Sequence, residues 1–293
     1  MAKPKSDQVT ARLATPWPDR VLCLSVWGTA LLVVAFAAWL LGDLVANGWS
    51  RIDWAFLTQA PARFGREGGI LPILQSTLMI LLVCLAVSVP LGTATALLLA
   101  EFSAGASRVG SVIRASLDLL AGVPSIVFGL FGNAFFCVTL GLGYSILSGG
   151  LTLACMVLPI FIRSVEIGLR AVPKDYRFAG AALAMSRTSM IRNVLLPAAA
   201  PGIMAGLMLG IGRAMAETAA LMYTSGYVPR SPTSLMDSGR TISLHIHELA
   251  INVSGGESSA YASALVLVFL LLIINLCASW LVERVVARGT SAA

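Results

Sequence analysis

Charge is scarce in this sequence. Only 12% of its 293 residues are Asp, Glu, Lys or Arg, about half the ~25% of an ordinary soluble domain, which excludes water as the main solvent of the chain. Histidine is scarcer still: there are two, His245 and His247, in one isolated HxH. Two imidazoles do not complete a metal site, so no metal is expected. No G-x-x-x-x-G-K-[ST] stretch occurs, which excludes a P-loop of the chain's own. The five cysteines (Cys23, Cys84, Cys137, Cys155, Cys277) lack paired spacing and all fall in apolar runs. They read as small buried hydrophobes rather than disulfides or ligands. No low-complexity tract or internal repeat stands out. The first apolar run is too long for the h-region of a cleavable signal peptide, and no small-residue cleavage site follows it. The tripeptide "NVS" at 252–254 matches a glycosylation acceptor, a pattern common by chance.

What the sequence does have is apolar length. It is 57% hydrophobic, with a mean hydropathy of +0.86. Six runs are long enough to cross the ~30 Å hydrocarbon layer as ~20-residue helices: 21–41, 77–99, 117–142, 145–162, 202–225 and 261–282. The third is the least regular, because Gly122, Pro124, Gly129 and Gly132 interrupt it. Backbone polar groups in lipid must be satisfied within the segment, so the expected fold is an all-α membrane protein of six transmembrane helices. The organisation follows: an N-terminal tail (1–20), the first helix with its outer loop (21–76), a core (77–282) with an inner loop at 163–200, and a C-terminal tail (283–293). The short uncharged link near 141–145 makes the third and fourth spans a tight hairpin. "SLHIHELAI" (243–251), in the long 226–260 loop, is expected to form a short helix at the membrane surface.

Fourteen of the twenty Lys and Arg lie on one side of this arrangement: Lys3, Lys5, Arg12 and Arg20, then Arg108 and Arg114, six more in the 163–200 loop, and Arg284 and Arg288. Five lie on the other side, and Arg213 falls inside a span. Basic loops face the cytoplasm, which places both termini inside the cell. The net charge of +6 then faces the inner leaflet and implies no nucleic acid.

The 163–200 loop is too long to be an idle connection. It is bounded by Pro159 and Pro201 and punctuated by Pro173 and Pro197, which end helices. "KDYRFAGAALAM" (174–185) reads as a short helix with Asp175 suitably near its positive end. Ser186 can cap a second helix, 187–196. The small residues Ala179, Gly180, Ala181, Ala182 and Ala184 let another backbone come close, while Phe178, Leu183 and Met185 offer larger apolar contacts. Such a helix either packs on the chain's own membrane helices or docks into a groove on a separate cytoplasmic subunit.

At this loop the sequence resembles the membrane permeases of ATP-binding-cassette (ABC) importers, which carry E-A-A-x3-G-x9-I-x-L-P. In "FAGAALAMSRTSMIRNVLLP" (178–197) the spacing holds, with Phe178 on the Glu position, Ala179 and Gly180 on the alanines, Ala184 on the Gly, and Val194, Leu196 and Pro197 completing the end. Two hallmark identities, Glu and Gly, are replaced. "AGVPSIVFGLFG" (121–132), "LTLACMVLPIFIRSVEIGLRAVP" (151–173) and "LPAAAPGIMAGLMLGIGRAMAETAALMYTSG" (196–226) are similar to the membrane subunits of phosphate-specific (Pst) importers. The likeness covers roughly 68–282. The PstA type fits by length, loop pattern and the "ETAALMYTSG" ending, and the PstC type is the alternative. "EGGILP" (67–72) differs from the family's G-G-I-G-P by Leu71.

The resemblance implies the ABC importer permease fold and a location in the bacterial inner membrane. The partners it implies are a second, PstC-like permease, two copies of a PstB-like cytoplasmic ATPase and an external PstS-like phosphate-binding protein. ATP and Mg would sit on the ATPase, with no cofactor in this non-catalytic chain. It makes Phe178, Ala179, Gly180, Ala182, Leu183 and Ala184 the ATPase-coupling residues.

An ion within a span is costly and is usually functional. Arg213 and Glu217 are four apart, so on a continuous helix they share a face. Either they are an intrahelical ion pair serving as glue, or they face a polar pathway. On the pathway reading, Arg213 offers a planar fork to a tetrahedral oxyanion while Glu217 holds it and prevents trapping. Arg170 is a candidate for the exit or a plain positive-inside anchor. Ser125, beside the broken backbone at Gly122–Pro124, could line the pathway, or the break could be a simple proline kink. The expected function is conduction of inorganic phosphate by an ATP-driven importer. The alternatives are an ABC permease for another oxyanion or a phosphonate, and a secondary transporter that needs no motor.

Overall fold

In a computed structural model, residues 17–102 and 108–290 are described. The expected 1–16 portion of the N-terminal tail, with Lys3, Lys5 and Arg12, lies outside the described residues. So do 291–293 and the side chain of Arg288. The chain forms two units, divided after Ala46.

The described part of the first unit, 17–46, belongs to the helix α1 (Trp17–Gly48). Its apolar side chains, Leu22, Trp27, Leu31, Val34 and Trp39 among them, are exposed all round. A helix apolar on every face is suited to lipid rather than to water.

The second unit begins with a short helix, α2 (Trp54–Thr58), capped by the Asp53 carboxylate, which accepts from the Phe56 N–H at 2.6 Å. A two-residue antiparallel hairpin follows, β1 (Pro61–Ala62) and β2 (Glu67–Gly68). Then come α3 (Leu71–Leu97), α4 (Arg108–Ala121), α5 (Ser125–Gly132) and α6 (Ile146–Ala171). Four short helices and one longer one follow in the order α7 (Lys174–Ala182), α8 (Arg187–Met190), α9 (Leu196–Ala198), α10 (Ala200–Ala216) and α11 (Ala219–Met222). The chain closes with α12 (Ile242–Ile251) and α13 (Glu257–Thr290).

Among the described residues, four helices are long and apolar enough to cross a membrane, and two bent pairs bring the total to six. The third expected span is one of these pairs, and the other pair bends just before the fifth expected span, 202–225, which is itself interrupted at Glu217, so neither span is the continuous helix that its apolar run suggested. The third turns by 102° between α4 and the α5 limb, which continues as a π-helical stretch to Thr139. Pro124 lacks an N–H and disfavours helix at Val123, which places the break within Gly122–Pro124. The chain bends by 66° between the α8–α9 stretch and α10, ahead of the fifth expected span, and within that span α10 stops at Ala216. The fourth runs to Ala171, nine residues past its expected end at 162, so the inner loop is correspondingly shorter.

α3 and α6 form the centre of the core, and Pro90 and Pro159 lie within them without ending either helix. The two backbones come close where a side chain is missing. A Cβ on Gly92 would meet Phe161, and one on Gly150 would meet Val83. α6 and α10 cross at Gly168 and Gly202, where a Cβ on Gly202 would lie 2.5 Å from the Gly168 Cα. Such small-residue contacts replace the hydrophobic effect as the source of helix adhesion in lipid, where packing decides. Gly129 and Gly132, expected to interrupt the third span, are instead the points where α5 and the turn that follows it approach Ala220, Thr152 and Thr224.

The link between the third and fourth spans is a tight turn, with Gly141 and Gly143 both at positive φ. Ser145 caps α6 by accepting from the Ser148 N–H at 3.1 Å. The expected short helix at 243–251 is present as α12, and it packs into the protein through Ile242, Ser243, Leu244, His245 and Leu249, which are buried. All five cysteines are free thiols. Cys84 and Cys137 are buried and Cys155 is half-buried, but Cys23 and Cys277 are exposed, which corrects the expectation that all five are interior.

Candidate functional site

The residues of interest gather in two places, a break in the fifth span and the loop between α6 and α10. At the break, α10 ends at Ala216, and Glu217 adopts an extended conformation (φ −75°, ψ 129°). Arg213 and Glu217 therefore do not share a helix face, and no ion pair joins them. The intrahelical pair inferred from their spacing is not formed.

Glu217 has local work instead. It is 7% exposed, and its Oε1 accepts the Ala220 N–H at 3.1 Å, satisfying one of the free donors at the start of α11. Its backbone carbonyl accepts from the Ser243 hydroxyl at 2.5 Å. The unwound segment is thus tied to α12, and α12 is tied to α3 by the Ile242 N–H on the Thr77 hydroxyl at 3.0 Å. From the far side, Asn133 donates to the Tyr223 carbonyl at 2.8 Å. Irregular backbone at membrane depth persists where protein satisfies it or where it lines a cavity, and here protein satisfies it.

Arg213 is left without a carboxylate among the described residues. Its side chain is exposed, and its guanidinium meets only the Met156 sulfur, at 3.9 Å. Met156 is close to the middle of α6. Thirteen residues of α10 precede Arg213, a rise of about 20 Å. Both relations put the charge deep in the span. Around it on α10, Ala205, Met208, Leu209 and Ala216 are exposed as well, so Arg213 belongs to a face that the other described helices of the second unit leave uncovered.

Ser125 is half-buried at the first turn of α5, immediately after the break at Pro124. Arg170 is not a solitary exit cation. Its Nε donates to Glu166 at 3.0 Å and its NH2 to the Leu99 carbonyl at 3.2 Å. The structure brings Arg170 together with neither Arg213 nor Ser125 in any hydrogen bond or ion pair.

The inner loop is the expected helix pair. α7 is three residues shorter than its sequence pattern, ending at Ala182. Ser186 caps α8 by accepting from the Ser189 N–H at 3.3 Å. Phe178 and Leu183 are 69% and 76% exposed, and Ala179, Ala182 and Ala184 are exposed with them. Gly180 faces inward: a Cβ there would strike the Met190 side chain. Ala184 stands in the left-handed region (φ 52°), a conformation natural to glycine and costly to other residues. The glycine of the resembled motif therefore has a backbone reason that alanine meets under strain.

Sequence reasoning missed the acidic partners on this side. Glu166, 3% exposed, receives Arg114 at 2.9 Å and Arg170 at 3.0 Å, with Arg163 3.6 Å away. Arg163 also pairs with Asp118 on α4. Arg177 forks onto Glu101, which holds its guanidinium more firmly protonated than usual against the opposing effect of burial. The spacing of Arg163, Glu166 and Arg170 (i, i+3, i+7) was the one available local signal.

At the opposite end, Arg240 and His245 stand together, 3.4 Å apart. Burial lowers the Arg240 pKa, an effect that Glu248 opposes. Burial, and then the Arg240 charge, press His245 down to about 3. The imidazole is therefore neutral and its Nδ1 can accept from Arg240. His247 does not join it in a metal site, since no group of three or more ligand side chains occurs among the described residues.

Known proteins align with this architecture. The family described as "Binding-protein-dependent transport system inner membrane component" matches residues 88–290. The chain is 33% identical over 279 residues to the "Probable ABC transporter permease protein YqgI" of Bacillus subtilis, covering 89% of this chain and 94% of that protein. It is 34% identical over 250 residues to the "Phosphate transport system permease protein PstA 1" of Mycobacterium tuberculosis, covering 82% of this chain and 81% of that protein. Among solved structures, a bacterial ABC transporter involved in the import of the acidic polysaccharide alginate superposes with a TM-score of 0.62 at 14% identity. That superposition covers 92% of this chain and 98% of the other, and bears on the fold alone.

Proposed function

This chain belongs to the binding-protein-dependent inner membrane component family, the membrane permeases of ABC importers, and we propose that it conducts inorganic phosphate as the PstA-type subunit of such an importer. Permease subunits are transport components rather than catalysts. ATP hydrolysis is assigned to a cytoplasmic ATPase pair, which α7 and α8 contact through Phe178 and Leu183. This puts the loop between α6 and α10 in the cytoplasm and both termini with it. A second permease covers the exposed face of α10, and an external binding protein delivers substrate at the Arg240 end.

The observation that carries the anion pathway is Arg213: a guanidinium level with the middle of α6, on a face left open by the described helices of the second unit and, among the described residues, without a carboxylate partner. Hydrogen phosphate leaving water needs a cation and N–H donors, and a planar fork matches its oxygens. The PstA name of several relatives narrows the oxyanion to phosphate. Glu217 contributes indirectly. By holding the unwound segment to Ala220 and Ser243 it ends α10 just after Arg213, so the guanidinium stands at a helix terminus instead of being neutralised one turn away.

The test is uptake of radiolabelled phosphate into proteoliposomes holding both permeases and the ATPase, with the binding protein and ATP supplied. Phosphate uptake is expected to depend on ATP and to withstand excess sulfate and molybdate. Uptake that persists without the ATPase would make the chain a motor-independent transporter. Preferential inhibition by another oxyanion or a phosphonate would reassign the substrate.

A further inference from the structure

The ion pairs on the α7 side are not scattered. They converge on the π-helical turn Leu98–Phe102 that ends α3. A π turn displaces backbone groups from the i→i−4 ladder. Here the Leu99 carbonyl accepts from two guanidinium groups at once, Arg114 of α4 at 3.1 Å and Arg170 of α6 at 3.2 Å. The same two arginines share Oε1 of Glu166. Two residues further on, Glu101 takes both oxygens to Arg177 of α7. Arg177 also donates to the Leu169 and Val172 carbonyls at 3.1 and 3.0 Å. The first is among the last carbonyls of α6, which have no partner within the helix, and the second belongs to the residue that ends it.

Arg177 is therefore bound on two sides. It caps α6 and clamps the turn that ends α3, while α7 presents Phe178 outward and Leu183, just past its end, is exposed with it. A lysine could not do this, because one ammonium cannot present a planar fork to a carboxylate and also reach two carbonyls in fixed geometry. From the clamp the linkage continues through Leu99, Arg114 and Glu166 to Arg163 and Asp118, and so to α4, the arm that turns by 102° into α5.

We propose that Arg177 is a positioning residue that makes α7 a rigid extension of α3 and α6, with Glu101 as its seat, so that a push on α7 reaches α4 rather than being absorbed in the loop. This rests on the functional reading above, in which an ATPase moves α7. It goes beyond that reading by naming the joint. The ion pairs are static supports in the resting state, and their role is in how much substrate moves for each ATP spent.

The measurement is the ratio of substrate imported to ATP hydrolysed in the complete reconstituted complex, for Arg177→Ala, Glu101→Ala, the double variant and Arg177→Lys. Co-purification with the ATPase is scored for each. The ratio is expected to fall at least fivefold in either alanine variant, with ATPase activity and co-purification retained. The double variant should be no worse than the worse single one, because both remove the same joint. Arg177→Lys keeps the charge and should fall between. A wild-type ratio in Arg177→Ala or Glu101→Ala, or single losses that multiply in the double variant, would overturn the proposal. Should Arg177→Ala fail to assemble, Arg177→Lys and Glu101→Ala decide by the same ratio. Failure of the wild-type complex to import with ATP would instead count against the functional reading.

Discussion

Replacing Arg213 by alanine separates a transport role from a structural one more sharply than any other single change. The cost to this chain's own packing is small, because within the chain the side chain is exposed and, among the described residues, its one polar contact is the Met156 sulfur at 3.9 Å. The transport cost is large if an oxyanion passes the guanidinium. A hydrogen bond to a charged group contributes about 1.5–3 kcal/mol, and every ~1.4 kcal/mol is tenfold. ATP-driven phosphate uptake should therefore fall by about 10- to 140-fold, at unchanged protein level and with the ATPase still bound. Arg213→Lys retains charge without the fork and should fall between.

Glu217 supplies the control. Glu217→Gln keeps an oxygen for the Ala220 N–H and should leave uptake within about threefold, since that carboxylate makes no ion pair with Arg213. Glu217→Ala removes a cap, costing about 1 kcal/mol of stability. The assay is initial-rate uptake in proteoliposomes, normalised to the permease present. Uptake by Arg213→Ala within twofold of wild type would refute the reasoning, and loss of the assembled complex in that variant would return Arg213 to a structural role.

Three further outcomes are expected. Gly202→Val should lower the melting temperature of the detergent-solubilised protein, because its Cβ would lie 2.5 Å from the Gly168 backbone, and overpacking costs about 1–3 kcal/mol. Ala184→Gly should raise stability by roughly 0.5–1 kcal/mol, since relief of a left-handed alanine outweighs the added freedom of the unfolded chain; chemical denaturation measures it. His245, held near 3 in the folded protein, binds a proton more readily when unfolded. Its contribution is complete above about pH 6.5 and is lost as pH falls towards 3, at about 1.4 kcal/mol per unit. A melting series from pH 7 to 5 should show this slope, and His245→Asn should flatten it.

Length and hydropathy made the spans legible, and prolines marked two of the bends, Gly-Val-Pro at 122–124 and Pro197 with Pro201 around Ala199, since proline both lacks a donor and constrains its predecessor. The break at Glu217 had no such mark. "AMAETAALM" consists mostly of good helix formers, and a continuous helix is what its local chemistry favours. Tertiary bonds override it: the Ser243 hydroxyl on the Glu217 carbonyl comes from 26 residues away in sequence, and no periodicity reports on it. For the same reason the i, i+4 spacing of Arg213 and Glu217 was informative about identity but misleading about geometry.

The arginines of the inner loop were legible as a class and not as individuals. Fourteen cations expected on one side by the positive-inside rule give a proposed orientation, yet the same statistic hides which of them are spoken for. Arg170 finds Glu166 four residues away, but Arg114 reaches the same carboxylate across 52 residues and Arg177 reaches Glu101 across 76. Burying Glu166 costs several kcal/mol unless it is compensated, so this carboxylate needs its cations as much as they need it. That requirement distinguishes these arginines from Arg213. Arg114, Arg163, Arg170 and Arg177 are fastened to carboxylates and carbonyls and can carry force. Among the described residues Arg213 meets only the Met156 sulfur, so it can give its full hydrogen-bonding capacity to an anion in transit and recover it when the anion leaves.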